Sequence, residues 1–201
     1  MTYNDGNLKK HTTANPLKKF MLKYFNHKLL KIINSLGLQQ PTVFDAGCGE
    51  GFISNLIALH INGAKVSGMD ASPQAIAYAQ KHQSDRICFS TGNIYNIDTG
   101  DNSFELVCST EVLEHLKNPE AALKELIRIA QSYVIVSVPK EPYFCLGNLL
   151  SGKNILRLGN PPDHINHYTL HGFEKFIKHI LPDKKVTVFD CIVWTIALIE
   201  K

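Results

Sequence analysis

The stretch Asp45-Ala46-Gly47-Cys48-Gly49-Glu50-Gly51-Phe52 constrains this chain more than any other. It follows an apolar run, Thr42–Ala46, that reads as a buried strand, and it precedes a segment of helical period running through Leu59. Glycines at alternate positions let the backbone turn sharply and let a ligand come close to it. The helix that starts there points its free N–H groups at that ligand. A dinucleotide fingerprint, G-x-G-x-x-G, would need its third glycine where Phe52 stands. The spacing is instead acid-x-G-x-G-x-G. An acid at the mouth of the loop repels a pyrophosphate and suits a ligand that carries positive charge there.

Strand-like and helical segments alternate on either side of this loop. The second strand is Lys65–Asp70, after which Ser72 caps and Pro73 opens a helix. The third is Arg86–Ser90 and the fourth Phe104–Cys108. Asn118-Pro119 opens a helix whose Ala122, Leu123, Leu126, Ile127 and Ala130 repeat at helical spacing. The fifth strand is Tyr133–Val138. A long irregular stretch, Pro139–Tyr168, leads to a helix from about Thr169 to Ile180. The runs Val186–Asp190 and Ile192–Ile199 lie too close for a helical crossover and predict an antiparallel hairpin. The pattern predicts a doubly wound α/β fold with a mostly parallel seven-stranded sheet covered on both faces. Ligands of such sheets bind beyond the carboxyl ends of the strands. Asp70, closing the second strand, is placed to accept hydrogen bonds from two ribose hydroxyls. With 201 residues, 44% of them apolar, the chain suits a single domain, 1–201. Within it, 1–38 reads as an N-terminal helical segment, 40–138 as a ligand-binding core and 139–168 as a cover.

Four blocks in register carry a resemblance: Asp45–Gly51, Gly68-Met69-Asp70-Ala71-Ser72, Gly92-Asn93-Ile94, and Asn102-Ser103-Phe104-Glu105-Leu106-Val107. They resemble the class I S-adenosylmethionine-dependent methyltransferases of Rossmann-like fold, within them the ubiquinone/menaquinone-biosynthesis-like group with a methyltransferase type 11 domain. The resemblance implies S-adenosyl-L-methionine as cofactor. Gly47, Gly49 and Gly51 would lie against its methionine part and ribose, with Asp45 orienting that end. Asp70 would bind the ribose hydroxyls beside Ala71, and Asn93 and Ile94 would flank the adenine. Thr110 and Glu111 would face the methyl donor. The family often has Asp where this chain has Asn93, and an amide there still hydrogen-bonds to adenine.

Methyl transfer is a direct displacement in which the protein supplies alignment, and a base where the acceptor must lose a proton. If Glu111-Val112-Leu113-Glu114-His115 is helical, Glu111, Glu114 and His115 share one face. A later cluster, Asp163–Thr169, offers His164, with His167 as the alternate. The two blocks are similar to small-RNA 2′-O-methyltransferases and some quinone O-methyltransferases. There, such residues hold a magnesium-type divalent cation against the acceptor hydroxyl. The resemblance therefore implies Glu111, Glu114, His115 and His164 as a metal set. Without a metal, His115 or His164 is the base candidate, with Glu111 beside it.

The expected function is methylation, on oxygen, of a small-molecule or lipid-like acceptor. The alternatives are RNA or nucleoside 2′-O-methylation and a non-catalytic cofactor-binding scaffold. A net charge of +3 and no appended RNA-binding module speak against nucleic acid, and intact glycine and Asp70 positions speak against the scaffold. The segment Leu17–Leu36, with Lys18, Lys19, Lys23, Lys28 and Lys31, reads as a basic amphipathic helix suited to peripheral membrane contact. No apolar run spans a bilayer and no secretory signal is visible. Five widely spaced cysteines read as reduced thiols, so the expected setting is cytoplasmic. Oligomeric state is not encoded in any motif.

Overall fold

The structure is a computed structural model that describes residues 6–82, 84–150 and 154–201. Residues 1–5 of the expected N-terminal segment and 151–153 of the expected cover lie outside the described residues. The strands are β1 (Thr42–Ala46), β2 (Lys65–Asp70), β3 (Ile87–Thr91), β4 (Phe104–Thr110), β5 (Ala130–Pro139), β6 (Lys185–Cys191) and β7 (Trp194–Glu200). They form one sheet in the order β3-β2-β1-β4-β5-β7-β6. Neighbours from β3 to β5 are parallel, and β7 runs antiparallel to both β5 and β6. The helices are α1 (Gly6–His11), α2 (Pro16–Ser35), α3 (Phe52–His60), α4 (Pro73–Lys81), α5 (Pro119–Ile129), α6 (Tyr143–Leu150) and α7 (Leu170–Ile180).

The strands are apolar almost throughout because both faces are covered. Val43, Val66, Leu106, Ile135 and Ile196 pack with Leu29 and Ile33 of α2 and Ile57 of α3. Their neighbours Phe44, Val107, Val134, Val136 and Ala197 point the other way, onto Leu123 and Leu126 of α5 and Phe173 of α7. The expected caps are made: Ser72 Oγ accepts from the Ala75 N–H at 3.2 Å, and Asn118 Oδ1 from the Ala121 N–H at 3.1 Å.

The strand ends differ from the sequence reading for local reasons. Helix α5 ends at Ile129 and the chain passes straight into the sheet, so β5 begins at Ala130, paired with Phe104. β4 continues through Thr110, paired with Ser137. In the hairpin, Ile192 (φ 57°) and Val193 form the turn, so β7 starts at Trp194, opposite Cys191. The stretch expected to be irregular contains α6 and a 3-10 turn, Ile155–Arg157.

Helix α2 is capped by Asn15, whose Oδ1 accepts from the Lys18 N–H at 3.1 Å. It buries Leu22, Phe25, Leu29, Ile32 and Ile33 against the sheet and leaves Leu17, Phe20 and Tyr24 exposed. Among the described residues no helix is long and apolar enough to cross a membrane. The chain leaves β1 outward through β2 and β3 and returns to β4 on the other side of β1. A crevice therefore opens beyond Ala46 and Thr110, at the carboxyl ends of those two strands.

Candidate functional site

The crevice is a cavity of about 880 Å³, walled on one side by Asp45, Gly47, Cys48, Gly49, Glu50 and Asp70. The glycine loop folds back on β2: the Gly47 and Cys48 N–H groups both donate to Met69 O, at 2.7 and 3.0 Å. Gly47 (φ 77°) and Gly51 (φ 80°) are left-handed, which glycine adopts at no steric cost. Packing enforces the same choice, since a Cβ on Gly47 would lie 2.4 Å from Val112 and one on Gly51 2.6 Å from Phe89. Asp70 braces the loop: Oδ2 accepts from the Gly49 N–H at 2.9 Å and Oδ1 from the Ser72 N–H at 2.8 Å. A carboxylate oxygen accepts two bonds, so each keeps a lone pair for the cavity. Asp45 is 1% exposed. Its Oδ2 accepts from Ser54 Oγ at 2.5 Å and its Oδ1 has no hydrogen-bond partner among the described residues. Burial pushes its carboxyl up to about 6, against the pull of the Ser54 hydrogen bond.

The other side of the cavity is built on the end of β4. Thr110 and Glu111 line it, and the Glu111 backbone, at φ 57°, donates its N–H to Ser137 O at 2.9 Å. A 3-10 turn, Leu113–His115, follows. The expected helical face carrying Glu111, Glu114 and His115 is therefore corrected. β4 pairing holds Glu111 upstream of the turn in a left-handed conformation, and its side chain pairs with Lys10. Burial raises the Glu111 carboxyl, but the Lys10 ammonium outweighs it and holds the group below the usual carboxylate range.

Segment 163–167 is clamped onto this turn. The N–H groups of Ile165 and Asn166 donate to Glu114 O at 2.8 and 3.0 Å. Asn166 Nδ2 donates to Leu113 O at 3.0 Å and Leu116 O at 2.7 Å. The clamp sets the His164 ring edge-on to His115, with centroids 4.9 Å apart, and against Phe144. Ligand atoms of Glu114, His115 and His164 lie within 4.8 Å of one another. His167, the alternate, turns away to Asn160 at 3.2 Å. His115 Nδ1 lies 2.9 Å from Asp163 O, a carbonyl that only accepts. Nδ1 therefore carries the proton and Nε2 is left with a lone pair. Burial, then the neighbouring His115, lowers His164 to about 4. Glu114 is buried with both carboxyl oxygens unpartnered among the described residues, and burial followed by the Glu111 charge pushes it well above the usual range.

The structure thus brings together Asp45, Gly47, Gly49, Asp70, Thr110, Glu111, His115 and His164 on one cavity. Gly51 serves the turn into α3 and is not on the cavity wall. Ala71, Asn93 and Ile94 do not line it either; Asn93 lines a separate cavity of about 410 Å³. The sequence reading missed Asn7, Lys10 and His11 of α1 and Trp194 of β7, all on the wall. No periodicity marks a six-residue helix, and Trp194 reads as an ordinary strand residue.

Comparison with known proteins agrees with this geometry. A family model described as a methyltransferase domain matches residues 44–136. The chain is 29% identical to a mitochondrial ubiquinone biosynthesis O-methyltransferase of Dictyostelium discoideum, over 77% of this chain and 54% of that protein. It is also 29% identical to a ubiquinone biosynthesis O-methyltransferase of Nitrosomonas europaea, over 71% of this chain and 60% of that one. The chain thus spans little more than half the length of these two curated relatives. A solved magnesium protoporphyrin IX methyltransferase from Synechocystis PCC 6803 with bound SAH shares the fold. Its TM-score is 0.69 at 20% identity, covering 98% of this chain and 95% of that one.

Asn166→Ala removes the side-chain half of the clamp, taking one donor each from the Leu113 and Leu116 carbonyls, and keeps the two backbone bonds to Glu114 O. Urea unfolding should show a loss of about 1–3 kcal/mol. In an NMR titration His164 should move up from about 4 toward 6.5 as its surroundings open. An unchanged His164 titration would refute a role for the Asn166 side chain in placing His164 and leave that placement to the two backbone bonds.

Proposed function

We propose, on the premise that residues 44–136 are a class I S-adenosylmethionine-dependent methyltransferase domain, that this protein methylates a hydroxyl oxygen of a small-molecule or lipid-like acceptor. One observation carries the reading. A single cavity joins the acid-and-glycine loop at one end to His115, His164 and an apolar wall of Met21, Leu22, Phe25, Phe144 and Val193 at the other. A sulfonium cofactor and an apolar hydroxyl compound fit side by side in such a space. The curated relatives named as ubiquinone biosynthesis O-methyltransferases support oxygen as the atom methylated.

Each residue takes a role from its position. Asp45 Oδ1, buried and unpartnered, receives the cofactor ammonium, and the Gly47–Gly49 backbone lies along its methionine part. Asp70, already oriented by two N–H groups, accepts from the ribose hydroxyls. The adenine end is assigned to Ala71, Asn93 and Ile94, which lie beyond Asp70. In the transfer the S–CH₃ bond breaks and its electron pair stays on sulfur as the O–CH₃ bond forms. The hydroxyl proton goes to His115 Nε2, the nitrogen that the Asp163 contact leaves free.

A second reading adds a divalent cation such as magnesium, held by Glu114, His115 and His164. The donor set fits: a carboxylate and two imidazoles, with a carboxyl whose burial without any partner is otherwise costly. When bound, the ion would lower the acceptor hydroxyl pKa. Glu111 belongs to Lys10 and not to this set. The acceptor's route is proposed along α2, where Leu17 and Lys18 line the cavity and, with the following Lys19 and exposed Phe20, make peripheral contact with an anionic membrane. The five free thiols support a cytoplasmic setting.

Thermal unfolding with S-adenosylhomocysteine should rise on the order of 5–10 °C at about 100 times its dissociation constant, and NAD should give no rise. Asp70→Ala should abolish the rise, and a wild type indifferent to S-adenosylhomocysteine would overturn the methyl-transfer reading. Glu114→Gln copies a protonated carboxyl, so it should leave cation-free turnover intact. The cation reading expects it, like chelation, to cost on the order of 10–100-fold in turnover. Flotation with anionic vesicles should carry wild type upward and lose Leu17→Ser/Phe20→Ser; wild type left in the soluble fraction would sink the membrane contact.

A further inference from the structure

Helix α1 lies across the cavity and is held there by groups of the site itself. Asn7 Nδ2 donates to Glu50 Oε2 at 2.5 Å, and the same nitrogen sits 2.8 Å from where a Cβ on Gly49 would be. Lys10 Nζ pairs with Glu111. The His11 ring stacks on Phe52, with centroids 4.2 Å apart and planes 9° from parallel. Glu50, Phe52 and Glu111 all face the cavity, as do Asn7, Lys10 and His11. A helix of six residues has no stability of its own, so its place depends on these contacts. Glu50 follows β1 and Glu111 follows β4, so α1 bridges the two lips of the crevice where the strand order reverses.

The Lys10 contact is the strongest of the three. It joins full charges in a half-buried place where solvent screens them little. The same ammonium lies 5.0 Å from the centroid of the Trp194 ring, which adds a cation–π attraction. Without Lys10, the Glu111 carboxylate would face the buried Glu114 carboxyl with only the weaker influence of His11 from α1, in a left-handed turn that a side chain adopts only under constraint.

We propose that Lys10 is a positioning residue that straps α1 across the cofactor's place: its pair with Glu111 fixes that side chain beside the acceptor site, and the cofactor enters and leaves faster when the pair opens. This rests on the methyl-transfer reading. The cavity persists beside the docked helix, so α1 borders the cofactor's place and does not fill it. Opening the pair therefore speeds traffic in both directions and leaves the affinity much less changed.

Trp194 is the chain's single tryptophan, and it lies within reach of Lys10, so its emission reports on α1. Stopped-flow mixing with S-adenosylhomocysteine would compare wild type, Lys10→Ala, Lys10→Arg and Glu111→Gln. Lys10→Ala and Glu111→Gln should each raise the association and dissociation rate constants by roughly tenfold, the size expected for losing one charge-assisted hydrogen bond. Lys10→Arg should return both toward wild type. Calorimetry of the same proteins supplies the dissociation constants. Binding with unchanged rate constants in Lys10→Ala would overturn the proposal, as would a loss of thermal stability with no faster entry, the mark of a purely structural lysine. No S-adenosylhomocysteine binding to wild type by calorimetry would instead overturn the methyl-transfer reading, and the strap with it.

Discussion

The reversal of strand order between β1 and β4 is the constraint on which the site depends. These strands lie side by side and parallel, yet the chain leaves them toward opposite halves of the sheet. The connections beyond Ala46 and Thr110 therefore diverge, and the gap between them cannot be filled by either. The left-handed residues Gly47 and Glu111 mark the two lips. Gly47 takes its conformation without cost, whereas Glu111 is held in it by the bond of its N–H to Ser137 and by Lys10.

Acidic side chains crowd this crevice, and each is stabilised differently. Asp70 is bound by two backbone N–H groups, Asp45 by one serine hydroxyl, Glu50 by Asn7 and Glu111 by Lys10. Glu114 is bound by nothing among the described residues. The gradient is chemically useful. Groups with partners on the scaffold are held in place around the crevice, and atoms left unsatisfied mark where a ligand's own charge belongs. Asp45 Oδ1, on the cavity wall, and the Glu114 carboxyl, buried beside His115 and His164, stand out on that criterion.

Much of this was legible before any coordinates. The caps at Ser72 and Asn118, the five parallel strands, the terminal hairpin and the glycine loop follow from local spacing, and local spacing governs capping, burial and turns. The pairing of the two Glu/His blocks was also legible, but its details were not. Three residues of 3-10 turn replaced the expected helix because pairing with β5 carried β4 on to Thr110. His164 rather than His167 met His115 because two successive N–H groups, of Ile165 and Asn166, converge on one carbonyl, Glu114 O. A three-residue offset gives no preference between such histidines until the backbone bonds are known.

What the sequence by itself determined is whatever neighbours along the chain decide: strand and helix identity, the glycine loop and the acid at its mouth, and with them the class of fold. What only the tertiary structure decided is which distant groups meet. Lys10 reaches Glu111 across 101 positions. It does so because α2 packs on the sheet through Leu29 and Ile33 and carries the chain before it back over the crevice. No periodicity records that contact, since its geometry is set by the packing of the whole layer and its strength by exclusion of water from a cavity that exists only once the sheet is closed.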